Sequence, residues 1–198
     1  SSACEIVMDF IKSTKLYCDT EIAKTLFIGL VADSNRFLFD SSTDKTFSLV
    51  AHYLKNYPFS INEVYQRMYL RPLAEVRLEG YIEENMTLTE HGVAYIKITD
   101  DIICKMGVDS AAAGNMVNNF NFIEGIYVWL TITEDVKNEL IRVSIRSRGP
   151  EINQVAEKHN GGGHKFASGV KFKTFDEAMK LIDDLDLVTK EYLDNKED

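Results

Sequence analysis

The sequence predicts an α/β protein in two parts, a mostly helical first part and an α+β second part, and three observations carry the prediction. Over roughly the first 75 residues, apolar side chains recur every three to four positions, the period of an amphipathic helix. From about residue 86 the period falls to two, as in half-buried strands. Ser2-Ala-Cys-Glu5, Ser60-Ile-Asn-Glu63 and Thr174-Phe-Asp-Glu177 all have capping-box spacing. In that arrangement a hydroxyl and a carboxylate three residues apart each satisfy a free backbone N–H at a helix start.

Taken in order, the first capping box opens a helix with Ala3, Ile6, Val7, Phe10 and Ile11 at helical spacing. A second helix spans about Thr20 to Leu30, buries Ile22, Ala23, Leu26 and Phe27, and gives way at Ala32-Asp33-Ser34-Asn35 to the apolar run Phe37-Leu38-Phe39. A third, over 43–56, turns Phe47, Val50, Ala51 and Leu54 inward, and a fourth starts at Ser60 and runs towards Pro72, which interrupts it. Strands are expected over 86–89, 93–99, 126–133, 139–147 and 170–172, with short helices over 100–106 and 109–119. A helix beginning near Pro150 stops at Asn160-Gly161-Gly162-Gly163, and the third capping box opens an acidic last helix. The boundaries read from this pattern are a first piece at 1–75, a helical linker at 76–85 and a second piece at 86–198.

Composition narrows the function. With 45% hydrophobic and 27% charged residues among 198, the chain has a globular make-up that excludes wholesale disorder, collagen and coiled coil. No apolar run approaches the roughly 18 residues that span a bilayer, and the start has no signal-type apolar core, so a membrane or secreted protein is not expected. Cys4, Cys18 and Cys104 form no C-x-x-C pair, which argues against a disulfide framework or a thiolate zinc site and for a reducing, cytoplasmic setting. The net charge of −9 is unevenly spread. Residues 176–198 hold nine acids against three lysines, whereas residues 142–173 hold seven Arg and Lys against two glutamates, so an anion site is expected in the latter stretch.

Two motifs lie there. Asn160-Gly-Gly-Gly-His-Lys-Phe-Ala-Ser-Gly169 brings three glycines, whose backbone N–H groups can approach an oxyanion closely, beside His164 and Lys165. It matches neither G-x-x-x-x-G-K-[ST] nor G-x-G-x-x-G, so a nucleoside-triphosphate loop of those kinds is excluded, while a glycine turn with no ligand stays open. In Val143-Ser-Ile-Arg146-Ser-Arg148 the two arginines share one strand face, and guanidinium forks suit phosphate, although a solvated basic edge reads the same way. His52 and His159 read as structural, and Ser34 lacks the G-x-S-x-G setting of a hydrolase nucleophile.

The order and spacing of Val143–Arg148, Ile152-Asn153-Gln-Val-Ala156 and Gly161–Gly169 resemble the C-terminal substrate domain of DHH-family phosphoesterases. Ser1-Ser-Ala-Cys-Glu-Ile-Val7, Ile22-Ala23 and Gly29-Leu-Val-Ala-Asp-Ser-Asn-Arg-Phe37 resemble the end of the DHH catalytic domain, in the branch of nanoRNases and 3′-phosphoadenosine 5′-phosphate phosphatases. The resemblance covers nearly the whole chain. It implies a helical remnant of the catalytic domain followed by a mixed-sheet, substrate-binding domain. It implies two metal ions, usually manganese with magnesium as the alternative, and makes Asp33 a metal ligand and catalytic residue. Arg146, Arg148, Gly161, Gly162, Gly163 and His164 become substrate-binding residues, for short RNA or DNA oligonucleotides or 3′-phosphoadenosine 5′-phosphate. A homodimer is left open. At the Asp33 segment Ala32 replaces a common threonine and Asn35 a common glycine. The Asp-His-His motif and the early aspartate motif are absent, and both would precede Ser1, so the expectation is an inactive fragment of the enzyme. Within the family a RecJ-like single-strand exonuclease or a cyclic dinucleotide phosphodiesterase are alternatives. Outside it, a non-catalytic nucleotide- or RNA-binding module is the alternative, since the C-terminal domain also resembles the tail of alanyl-tRNA synthetases.

Overall fold

The computed structural model describes residues 2–197, apart from the side chain of Glu197. It divides into two compact units, Ser1–Leu70 and Arg71–Asp198.

The first unit is helical: α1 (Ala3–Thr14), α2 (Thr20–Asp33), α3 (Asp44–Asn56) and α4 (Ile61–Tyr69). Each start is fixed locally. The Ser2 hydroxyl accepts from Glu5 N–H at 3.2 Å, Asp19 from Ile22 N–H at 2.9 Å and Ser60 from Glu63 N–H at 3.2 Å, while Thr43 N–H donates to the Thr46 hydroxyl at 3.2 Å. The helices close on Met8, Ala23, Phe27, Leu30, Val31, Leu49, Val50, Tyr53 and Val64. Tyr53 carries the polar atom of this core, its hydroxyl donating to Met8 O at 2.8 Å, and burial pushes its pKa up to about 12.

The second unit contains α5 (Leu73–Asn85), β1 (Thr87–Leu88), β2 (Val93–Ile98), α6 (Asp100–Met106), α7 (Ser110–Asn115), β3 (Val128–Asp135), β4 (Leu140–Ser147), α8 (Asn153–Lys158), β5 (Gly162–His164), β6 (Ala167–Phe172) and α9 (Phe175–Glu197). A 3₁₀ turn, Met116–Asn119, follows α7. The stretch 76–85, read from sequence as a linker, is the body of α5, which buries Leu78 and Ile82 in this unit's core. The boundary between units accordingly falls earlier than the sequence pattern suggested, because a helix can be read from its period but the partner it packs on cannot.

The strands form one mixed sheet in the order β1-β2-β3-β4-β6-β5. Only β2 and β3 run parallel, and such a pair needs a crossover, supplied by α6, α7 and the 3₁₀ turn. Along β3, Val128, Leu130 and Ile132 enter a core completed by Ile141, Val143, Ile145 and α8 and α9 residues such as Val155, Leu181 and Leu185. Trp129, between them, joins the opposite core with α5, α6 and α7, and its indole N–H donates to Val117 O at 2.7 Å. Both faces of β3 are therefore covered. In β4 only Ile141, Val143 and Ile145 are buried, so Arg142, Ser144 and Arg146 face the other way.

The acidic helix α9 is tied down by two carboxylates. Asp184 receives Lys158 Nζ at 2.9 Å and His159 Nε2 at 2.7 Å, and Asp186 receives His91 Nδ1 at 2.7 Å, His91 N–H at 3.2 Å and the Thr89 hydroxyl. The Lys158 contact, opposed by burial and aided by His159, holds Asp184 below the usual carboxylate range. At Asp186 burial is the largest influence and acts upwards, but the Thr89 and His91 hydrogen bonds together outweigh it. Carboxylates with lowered pKa stabilise the fold above the ordinary aspartate range, near pH 4, and lose that contribution as pH falls through it. Asp184→Asn and Asp186→Asn should each lower the melting temperature at pH 7 and flatten its decline between pH 5 and 3. Melting curves across that range check both effects.

Candidate functional site

In the first unit Asp33 ends α2, exposed, and the chain then turns in an unusual way. Asn35, Arg36 and Phe37 have φ of 46°, 63° and 65°, three successive left-handed residues without a glycine. Such backbone is disfavoured by roughly 1–2 kcal/mol per L-residue, least for asparagine. Ser34 holds the turn: its buried hydroxyl donates to Leu30 O at 2.7 Å and accepts Phe37 N–H at 3.0 Å, while Leu38 N–H donates to Ser34 O at 3.0 Å. Position 35 thus has a real conformational need, which asparagine fills. A cavity of about 260 Å³ opens beside Asp33, bordered by Glu5, Ser34, Ser41, Ser42 and Thr46. Glu5 is engaged there by the Thr46 hydroxyl. Among the described residues no group of three or more His, Cys, Asp or Glu side chains could hold a metal ion. The two-metal centre that the resemblance implies therefore does not fit the described residues.

In the second unit, register assembles a face that composition could only hint at. Arg146 lies directly opposite Ala167, and Ala167 opposite His164; one step along, Ser144 pairs with Gly169 and Gly169 with Gly162. Paired residues share a face, so Arg146 and His164 flank a floor of Ala167, Gly169, Gly162 and Ser144, with about 10 Å between their backbones. Arg146 is half-buried, and that burial pulls its pKa below the ordinary arginine value while leaving it charged. Its Nε donates to Asn118 Oδ1 at 3.2 Å and its Nη1 to Ile145 O at 2.9 Å; among the described residues Nη2 has no partner. A partly desolvated guanidinium attracts an anion more strongly than one in bulk water. His164 is exposed on the other side of the floor.

The three glycines do not form the cradle of N–H groups that their sequence suggests. Gly162–His164 is an edge strand, and of the three only Gly163 has positive φ, 143°. A Cβ at Gly163 would stand 2.5 Å from Ala167 O, and one at Gly161 would collide with Gly169 O and lie 2.6 Å from Val170 Cγ2. At Gly162 a Cβ would meet nothing within 4 Å. Gly161 and Gly163 are small so that strands can approach; Gly162 keeps the floor clear. Arg148, expected beside Arg146 as a phosphate ligand, has its guanidinium on three carbonyls: Asn121 O at 2.9 Å, Ile123 O at 3.0 Å and Ile126 O at 2.7 Å. Asn118, which orients Arg146, carries no motif, and Ser144, inside the Val143–Arg148 motif, takes its place in the floor only through register.

The second unit is thus a mixed sheet whose half-buried floor of small residues is flanked by a guanidinium and an imidazole. Residues 92–191 match the DHHA1 domain, and the chain belongs to that family. It is 37% identical over 174 residues, 88% of this chain, to the bifunctional oligoribonuclease and PAP phosphatase NrnA of Bacillus subtilis, covering 55% of that protein. It is 31% identical over 185 residues, 93% of this chain, to the probable NrnA of Streptococcus mutans, covering 59% of it. The chain thus spans a little over half the length of these curated relatives. An exopolyphosphatase-related protein from Bacteroides fragilis shares the fold, with a TM-score of 0.82 at 24% identity over 96% of this chain and 56% of that one.

The glycines separate fold from site. Gly161→Ala and Gly163→Ala should lower the melting temperature by several degrees, since backbone must move to admit the new methyl group. Gly162→Ala, whose Cβ meets nothing within 4 Å, should melt like the wild type, as thermal melts of the three variants will show.

Proposed function

We propose that this chain is the substrate-holding part of a phosphoesterase that hydrolyses short oligonucleotides and 3′-phosphoadenosine 5′-phosphate. The row Arg146–Ala167–His164, with its floor of small residues, carries the reading. The names of the relatives, which are hydrolases of oligoribonucleotides and PAP, agree with it. Arg146 takes one phosphate through charge-assisted hydrogen bonds from Nη2, His164 contacts the ligand across the floor, and the small residues admit the sugar between them. These residues position the ligand and transfer no proton, so their contribution to rate is orientation of the scissile bond. The remaining ligands for the divalent ions, of which manganese is the ion implied by the family resemblance, lie outside these 198 residues in the proposed enzyme. Three free cysteines support a cytoplasmic setting, and among the described residues no helix is long and apolar enough to cross a membrane.

Two experiments test this reading. Residues 1–198 should bind 3′-phosphoadenosine 5′-phosphate but not hydrolyse it with manganese present, and Arg146→Ala or His164→Ala should weaken that binding about tenfold to a hundredfold, as charge-assisted or polar contacts of ~1.5–3 kcal/mol do. Turnover by a contaminant-free preparation of this chain would overturn the division of labour. In a longer chain restored by an upstream segment that carries Asp-His-His, Asp33→Ala should abolish hydrolysis of dinucleotides without changing the melting temperature. Undiminished turnover there would leave Asp33 a turn residue.

A further inference from the structure

We propose that Phe122 is the stacking platform for the nucleobase of a ligand whose phosphate is held by Arg146. The inference rests on the nucleotide reading of the β4–β6–β5 face and goes beyond it by naming what recognises the base. Phe122 lies in the connection from the 3₁₀ turn to β3 and is 71% exposed, whereas Phe120 and Ile126 in the same connection are buried in the core. A large apolar ring left in water contributes nothing to that core.

The backbone beneath the ring is unusually well fixed. The carbonyls on either side of Phe122, Asn121 O and Ile123 O, accept from Arg148 Nη1 and Nη2, and Ile126 O accepts from Nη2 as well. Arg148 continues the β4 ladder, its N–H donating to Tyr127 O at 2.8 Å, and at i, i+2 it leaves the same face of the sheet as Arg146. Arg146 reaches the same connection through Asn118. The backbone that carries Phe122 and the anion-binding guanidinium therefore stand at one end of the sheet. There Ser147 N–H also holds the β5–β6 hairpin at Phe166 O, 3.0 Å away, next to His164.

An aromatic face beside a cation is how proteins hold single-stranded nucleotides with little regard for sequence, because every base has a face to stack and every nucleotide a phosphate. A ring on an anchored backbone offers that face with little ordering left to do on binding. The site should consequently accept all four bases. The Arg148 clamp explains why an arginine sits beside the anion site without pointing at it.

The test titrates residues 1–198 with 3′-phosphoadenosine 5′-phosphate and with ribose 3,5-bisphosphate, which has the phosphates but no base. Phe122→Ala should weaken the nucleotide about tenfold and leave the sugar bisphosphate unchanged. Phe122→Trp should restore nucleotide binding, and Phe122→Leu, apolar but without a π face, should behave like alanine. Nucleotide binding by the leucine variant equal to wild type, or equal losses on both ligands, would overturn the stacking role while leaving the anion face standing. A wild-type chain that binds neither ligand would overturn the face and the platform together.

Discussion

The register across β3, β4, β6 and β5 is the constraint on which the candidate site depends. Trp129 stands opposite Arg146, Arg146 opposite Ala167, and Ala167 opposite His164, so a single row crosses four strands. A slip of one residue in β4 would turn Arg146 into the core and Ile145 out to the floor. That slip is prevented by burial: β3 is covered on both faces, and Ile141, Val143 and Ile145 are needed in one core. The packing that stabilises the unit therefore also fixes where its half-buried cation stands.

The same sheet separates charge. The acidic helix α9 packs on the face that buries Ile145 and Leu185, and Asp184 and Asp186 are hydrogen-bonded locally by Lys158, His159 and His91. Arg142, Arg146 and Lys171 leave β4 and β6 on the opposite face, where Arg142 is paired with Asp135 and Arg146 has no carboxylate partner among the described residues. An overall charge of −9 conceals this division. The net charge sets the field that a polyanion meets at long range, whereas close to the half-buried guanidinium of Arg146 the local field is positive.

Local signals in the sequence survived folding because they rest on neighbours a few residues apart. All three capping-box starts make hydrogen bonds, at Ser2 with Glu5, Ser60 with Glu63 and Thr174 with Glu177. The change of period located the strands now seen as Val128–Asp135 and Leu140–Ser147 to within about two residues. Pairing was not legible. The helices expected between β2 and β3 allow a parallel pair without fixing its register, and nothing in Gly161-Gly162-Gly163 states that the last two belong to an edge strand. Arg146 and Arg148 look alike as sequence, two guanidiniums on one face, and differ only because Asn121, Ile123 and Ile126 return beside the second.

Two means of placing a polar group operate in the chain. In the second unit the half-buried guanidinium inherits its position from a ladder of strands, and no strained residue is needed at Arg146 itself. In the first unit Asp33 has no such ladder, and three left-handed residues follow it directly. The strain in that turn is offset by Ser34, whose hydroxyl binds Leu30 O behind it and Phe37 N–H ahead of it. Phe37 then packs against Phe27, with ring centroids 6.1 Å apart, and so returns the chain to the core within four residues of Asp33. A relaxed loop would leave the carboxylate free to wander. The tight turn holds it at the end of α2 facing the cavity, which is where a residue must stand if its task is to meet a ligand and not merely to end a helix.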